Sequence, residues 1–346
     1  MKIGIIGIGN VGLQVLKDIQ SNDKINKFLN VEKILVRDKD KYLNILESEF
    51  GVDSPVLEKL TDDFNNFINS DIDTVVELIG GSNPAKEYVK EALNYKKNVV
   101  TANKEIIASS IEDLTSSAIL NKVKIRFEAA VGAGIPLIEV LIDMLKQNKI
   151  SKITGIINGT SNYILSSMHN SNKSFDESLK EAQNLGFAES DPTNDIGGFD
   201  AMYKASILGS IAFGSKVPIE SVAVKGIENL SQKDISYSKE LGFVIKLLAV
   251  TENKSSKIYS KVAPYLVPEN HPLAKVSDNY NAIEIKGDLV GNLWFQGQGA
   301  GKLSTTSAVI GDLLGIENST SGNLALEDNE LNFLSFFVYA TFSNQG

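Results

Sequence analysis

The stretch KIGIIGIGNVGLQVL at residues 2–16 decides the fold. A short apolar run over residues 2–7 has the length of a buried strand and passes directly into Gly7-Ile8-Gly9-Asn10-Val11-Gly12. Behind the glycines, Val11, Val15, Leu16 and Ile19 recur at helical spacing. A GxGxxG alone says little, but between a strand and a helix it is a dinucleotide-binding fingerprint. The glycines permit a tight turn and close backbone approach, and the free amides and positive dipole end of the helix face a pyrophosphate. Gly7, Ile8, Gly9, Asn10, Val11 and Gly12 are therefore the first cofactor-binding candidates.

Working outward, Glu32–Val36, Thr74–Ile79, Asn98–Thr101 and Val123–Glu128 form further strand candidates. Helical patterns separate them, one opening at Pro84 and running to about Tyr95. That alternation predicts a parallel α/β sheet over residues 1–130. After residue 150 the pattern changes. Ile150–Ile157 predicts a strand that ends in the turn Asn158-Gly159, and Ser174 with Glu177 forms a capping box for a helix stopping at Gly186. Phe199–Phe213 predicts a well-packed helix, and residues 221–296 hold β-rich segments at Ile258–Ala263, Ala282–Lys286 and Leu289–Phe295. A last helix is expected at about Thr305–Leu314. The fold class is α/β, an N-terminal Rossmann-type parallel sheet plus an α+β second domain.

The composition removes whole chemistries. The chain of 346 residues has no cysteine and only two histidines, His169 and His271. Disulfides, a thiolate nucleophile and cysteine-bound zinc are excluded, and a histidine-rich metal site lacks its ligands. Both histidines are expected at a helix end or in a loop, away from chemistry. The acidic residues Asp191 and Asp195 do not follow the calcium-loop spacing, so an EF-hand is excluded too. Proton carriers must come from Lys, Asp, Glu or Tyr. With 43 acidic against 34 basic residues, a net charge of −9, and only Arg37 and Arg126 as arginines, no basic stripe suits nucleic acid. No apolar run approaches the ~20 residues a spanning helix needs, so no membrane partner is expected. Glycines at 4, 7, 9 and 12 interrupt the apolar N-terminus, and no cleavage site follows. A cytoplasmic location is expected.

Three further places carry chemistry. At the end of the second strand, an acidic residue would grip the ribose hydroxyl of NAD, whereas an arginine accommodates the 2′-phosphate of NADP. Arg37 stands there, with Lys39 and Lys41 nearby, so NADP is expected, although the adjacent Asp38 could serve NAD. Thr101-Ala102-Asn103-Lys104-Glu105 follows another strand of the same sheet, where Lys104 can point into the ligand crevice. The third is GFAESDPTNDIGGFDAMYK at 186–204. It places Glu189, Asp191 and Asp195 on a loop, and Asp200 and Lys204 four apart on one face of a mostly apolar helix. An exposed pair of that kind contributes only ~0.3–0.5 kcal/mol, but an apolar helix puts it in a cleft wall instead.

With these motifs the sequence resembles homoserine dehydrogenase, the family that interconverts L-aspartate 4-semialdehyde and L-homoserine. The matching pieces are GIGNVG at 7–12, TANKE at 101–105, EAAVGAGIP at 128–136, INGTSNYIL at 157–165, the 186–204 stretch, and GQGAGKLSTTSAVIGDLL at 297–314. They stand in family order. The resemblance implies that Lys204 is the catalytic acid/base, with Lys104 and Asp200 beside it, and that Glu189, Asp200 and Lys104 bind substrate. It implies cofactor contacts from Thr101, Asn103, Lys104, Gly186, Glu189, Gly299 and Gly301, and a monovalent cation, sodium in most members, at Glu128, Val131, Ala133 and Ile135. It implies a homodimer and a place in threonine and methionine biosynthesis. Lysine, with a reference pKa of ~10.4, is a ready acid for protonating the carbonyl oxygen and a poorer base.

By the same resemblance, residues 1–130 form the dinucleotide-binding domain, completed by the helix at 300–316. Residues 131–300 form the substrate-binding and dimerisation domain, and 317–346 a tail without an evident role. Many relatives carry a C-terminal regulatory ACT domain; the residues after Leu314 are too few for one, so threonine inhibition through it is not expected. Phe187 stands where the family often has tyrosine, which removes a hydroxyl near the substrate. The first domain alone would also fit another NAD(P)-dependent amino-acid oxidoreductase, such as an aspartate dehydrogenase, or a Rossmann protein that binds nucleotide without turnover.

Overall fold

The structure is a computed structural model that describes residues 1–255 and 257–317. Six short strands, β1 (Lys2–Ile6), β2 (Asn30–Leu35), β3 (Leu60–Thr61), β4 (Thr74–Glu77), β5 (Asn98–Thr101) and β6 (Ile125–Arg126), pair in parallel in the order β3-β2-β1-β4-β5-β6. This is the doubly wound order, and the reversal between β1 and β4 opens a crevice above their carboxyl ends. Ile3, Ile5, Val75, Val76, Val99 and Val100 are fully buried, as expected where helices cover both faces of a parallel sheet. The helix Lys302–Glu317 returns to this sheet. Its Val309, Leu313 and Ile316 share one apolar cluster with Ile3, Ile5, Val15 and Leu16.

Strand ends differ from the sequence pattern where side chains turn the chain. β4 stops at Glu77, two residues before the expected Ile79, because the Glu77 carboxylate accepts from the Ile79 and Gly80 amides at 2.9 and 3.3 Å. Val123–Glu128 shrinks to the two residues of β6. The Glu128 amide instead donates to Asp312 at 2.8 Å, and a 3-10 turn follows at Glu128–Ala130.

The second sheet comprises β7 (Ile150–Ile156), β8 (Ala223–Val224), β9 (Phe243–Lys254), β10 (Lys257–Pro268), β11 (Tyr280–Gly287) and β12 (Gly291–Gln298). Its order is β12-β11-β7-β9-β10-β8, antiparallel except for the short β8–β10 pair. Leu289 and Val290 fall in the β11–β12 turn rather than in the expected strand, since Asn148 takes the Val290 amide at 3.0 Å. The helices Gly159–Ser171, Phe199–Phe213 and Gln232–Glu240 pack against this sheet. Ile156, Val244, Leu248 and Val267 pack against the turn at Pro272–Lys275.

The helix at 199–213 decides the site. It lies between the second sheet and the helix Lys104–Asn121 of the first unit. Ala201, Ala205, Ile207, Leu208 and Ala212 are all buried, which explains why the helix is mostly apolar. Residues 318–346, where the tail was expected, lie outside the described residues.

Candidate active site

Asp200 and Lys204 sit in the first two turns of the 199–213 helix, one above the other as i,i+4 spacing dictates. Both are nearly inaccessible, at 5% and 7% exposure. Lys104 opens its own helix at the carboxyl end of β5, aimed across the gap. Asp200 Oδ1 takes the Lys104 ammonium at 2.8 Å and Asp200 Oδ2 takes that of Lys204 at 2.9 Å. Lys204 Nζ also donates to the Ile157 carbonyl at 3.0 Å. Two of its three N–H bonds are thus committed, and no described residue takes the third.

Burial alone would push the Asp200 carboxyl up, but the Lys204 and Lys104 ammoniums outweigh it and hold the group well below the ordinary carboxylate range. Partial burial works against the charged form of Lys104, yet Asp200 keeps its pKa above the ordinary lysine value. The two ammoniums that flank Asp200 form a setting for developing negative charge on a substrate oxygen.

Asn158, at the end of β7, joins a further acid to this group. Its Nδ2 donates to Asp195 Oδ1 at 2.7 Å and to Asp200 Oδ2 at 2.9 Å. Asp195 lies in the short helix Thr193–Ile196, not on the expected loop. Burial raises its carboxyl, the bond from Asn158 opposes that, and the Asp200 charge adds to the rise.

These groups line a cleft of about 550 Å³ whose wall also includes Ala129, Gly186, Glu189, Gly299, Gly301 and Thr305. Glu189 stands exposed at its edge, held through its carbonyl by Gln183. Gly186, at φ +75°, has open space where a side chain would be.

The glycine turn follows β1 at the sheet crevice. Gly7 has φ +88°, and a Cβ on Gly12 would run into the Gly7 carbonyl, so both positions require glycine. Gly9 makes no side-chain cap and has open space above it, leaving the first-turn amides of the helix Asn10–Ser21 free for a phosphate. The side chains of Thr101 and Asn103, expected at the cofactor, have partners within the fold. The Thr101 hydroxyl donates to the buried Glu77 at 2.6 Å. Asn103 caps the 104–121 helix and donates to the Gly81 carbonyl at 2.7 Å. Both side chains therefore brace the loops above the crevice. Arg37 is exposed beyond β2 and makes no ion pair among the described residues, while Asp38 caps the helix Lys39–Phe50 through the Lys41 amide.

This geometry has close counterparts. Residues 7–128 match the model of the homoserine dehydrogenase NAD-binding domain, and residues 136–314 match that of homoserine dehydrogenase itself. The Bacillus subtilis homoserine dehydrogenase is 39% identical over 91% of this chain and 72% of its own, and that of Synechocystis is 41% identical over 94% and 76%. The crystal structure of the Thiobacillus denitrificans homoserine dehydrogenase superposes with a TM-score of 0.84 at 40% identity, over 91% of this chain and 73% of that one. A putative homoserine dehydrogenase from Archaeoglobus fulgidus gives 0.80 at 32% identity, over 91% of this chain and 99% of its own. The chain belongs to the homoserine dehydrogenase family. It is an NAD(P)-dependent oxidoreductase of that family, which sets aside the aspartate dehydrogenase-like and non-catalytic alternatives.

Within this homoserine dehydrogenase fold, the 128–135 loop faces the cleft from the other side. The Glu128 carboxylate accepts the Leu137, Ile138 and Glu139 amides at 2.5, 2.8 and 3.0 Å, capping the helix Ile138–Met144. Ala133 adopts the left-handed conformation at φ +46°. Among the described residues, no hydrogen bond ends on the carbonyls of Val131, Ala133 or Ile135. Three residues escaped the sequence pattern: Asn158, whose only signal was an Asn-Gly turn, Asp195, one of several loop acids, and Glu77, hidden in an apolar strand.

Proposed function

We propose that the chain catalyses the NADP(H)-dependent interconversion of L-aspartate 4-semialdehyde and L-homoserine, with Lys204 as the acid/base. The observation that carries this is the Lys104–Asp200–Lys204 arrangement in the cleft wall. The bound nicotinamide supplies or takes the hydride at the aldehyde carbon. As that carbon gains the hydride, the carbonyl electron pair moves to oxygen, and the uncommitted N–H of Lys204 delivers a proton there. Lys104 stabilises the oxygen as its charge grows, and Asp200 holds both ammoniums in place. In the reverse direction Lys204 takes the hydroxyl proton. Glu189 at the cleft edge and the partly buried Asp195 suit the substrate's ammonium group.

The Gly7–Gly12 turn would hold the pyrophosphate, and Gly186, Glu189, Gly299 and Gly301 the nicotinamide end. Arg37 would pair with a 2′-phosphate, since Asp38 is committed to its helix cap. The uncommitted carbonyls of Val131, Ala133 and Ile135, with Glu128, suit a hard monovalent cation such as sodium. Residues 1–130 with 300–316 serve as the dinucleotide-binding unit and 131–300 as the substrate and dimerisation unit of a cytoplasmic homodimer in threonine and methionine biosynthesis. Assay of the purified chain with aspartate semialdehyde and each reduced cofactor tests this. Turnover with NADPH is expected; absence of turnover overturns the reaction, and comparable efficiency with NADH overturns the cofactor preference alone.

A further inference from the structure

We propose that Asn158 is a positioning residue: its side-chain amide clamps Asp200, and through it both lysines, into reacting geometry while tying Asp195 to the same point. This rests on the reaction proposed above. Asn158 is 5% exposed, and all of its hydrogen-bonding capacity is used. The two Nδ2 protons go to Asp195 and Asp200 at 2.7 and 2.9 Å, and Oδ1 accepts the Ser161 amide and hydroxyl at 2.8 and 2.7 Å. The opposite amide orientation would set an oxygen against two carboxylates and an NH2 against the Ser161 amide, so only one arrangement is possible. The residue before it, Ile157, receives Lys204 through its carbonyl. One dipeptide at the end of β7 therefore holds both the proton carrier and the carboxylate that orients it.

The clamp has a physical task. Asp195 and Asp200 repel one another, and the intervening amide offers each a proton. Without it, Asp200 Oδ2 keeps only Lys204, and the carboxylate can turn away from the arrangement that gives each lysine its own oxygen. A shift of ~1 Å in such a group costs on the order of a hundredfold in rate. Because both amide protons are committed, Asn158 has no donor left for substrate, so its effect passes through the two carboxylates it holds, Asp200 at the lysines and Asp195 beside them.

The two ends of the side chain can be tested separately. Oδ1 caps the helix Gly159–Ser171, a scaffold role, whereas Nδ2 makes the clamp. Asn158→Asp keeps the capping oxygen and replaces the double donor by a carboxylate. The titratable groups bonded to this position are Asp195 and Asp200, with Lys204 and Lys104 held beyond Asp200. The two acids keep an aspartate at 158 partly protonated, so acidification returns one donor to the clamp.

We expect N158D to retain wild-type circular dichroism with a moderately lowered thermal midpoint, to lose ~100-fold in kcat at neutral pH, and to keep the KM for NADPH within about twofold. That deficit should shrink as pH falls, while the deficit of Asn158→Ala, which can regain no donor, stays constant. N158D with wild-type kcat at every pH would overturn the proposal. So would an N158D loss of the same size at every pH, or one matched by a collapse of the thermal midpoint, since each marks a packing role. Wild-type protein is assayed in parallel. If it does not turn over aspartate semialdehyde, the proposed reaction fails and takes this assignment with it; if it does, the variants judge Asn158 alone.

Discussion

Asp200→Asn removes one charge and almost no volume, so it isolates what the carboxylate does between two lysines. The Asp200–Lys204 pair is closed from solvent, with both side chains at 8% exposure or less, and is the contact that matters for stability. Breaking a buried pair by removing one partner costs about 3–5 kcal/mol, because the other charge stays buried. The Lys104 contact adds little, since that side chain is 37% exposed and water screens it. Asparagine can still accept from one ammonium, so a loss near the lower end, about 3 kcal/mol, is expected in urea unfolding.

The kinetic effect has a sign that a packing defect would not. In the wild type, burial lowers the Lys104 pKa and Asp200 more than restores it. Without the carboxylate, only Asp195 and Glu105 oppose burial, so the charged form of Lys104 is lost at lower pH than in the wild type. Reductase activity followed through NADPH absorbance should therefore fall ~100-fold at neutral pH. Its alkaline limb should also begin at lower pH than in the wild type. A variant with kcat within about twofold of wild type and a superimposable pH profile would refute the charge-holding role of Asp200.

Three shorter predictions follow from the same structure. Lys204→Ala should lose ~10²–10⁴-fold in kcat while NADPH binding, followed by fluorescence titration, stays within about threefold; near wild-type turnover would sink the acid/base assignment. Arg37→Ala should raise the KM for NADPH by ~10-fold and leave that for NADH unchanged, since only the 2′-phosphate loses a charged partner; an unaltered NADPH-to-NADH ratio contradicts it. Lys246 is 2% exposed, donates among the described residues to Asn162, Ser166 and Val276 alone, and is pulled down to about 8 by burial. Between there and 10.5 the unfolded chain binds the extra proton, so stability rises with pH. The urea stability of wild type relative to Lys246→Met should grow by on the order of 3 kcal/mol across that window, and parallel pH slopes would refute it.

Much of the fold was visible in local pattern. The strand–glycine–helix passage at residues 2–16 and the alternation to residue 130 depend on near neighbours, and β1, β5 and the 199–213 helix stand where that pattern set them. What shifted were ends governed by distant side chains. β6 is cut short by Asp312, a partner 184 residues away along the chain, and β12 starts late because Asn148 takes the amide of Val290. Asp200 and Lys204 were legible as a pair because a helix brings i and i+4 together. Lys104 could be singled out at a strand end, but its partner could not be read from that position.

The sequence by itself determined the doubly wound first sheet, a nicotinamide cofactor turn and a chemistry that uses lysine and carboxylate, because backbone periodicity and the absence of cysteine are local or compositional facts. The tertiary structure alone decided that one carboxylate serves two lysines and that Asn158 locks it. Lys104, Asn158, Asp195 and Asp200 come from separate elements of the chain, and the packing of the 199–213 helix between the 104–121 helix and the second sheet is what brings their charges within hydrogen-bond reach.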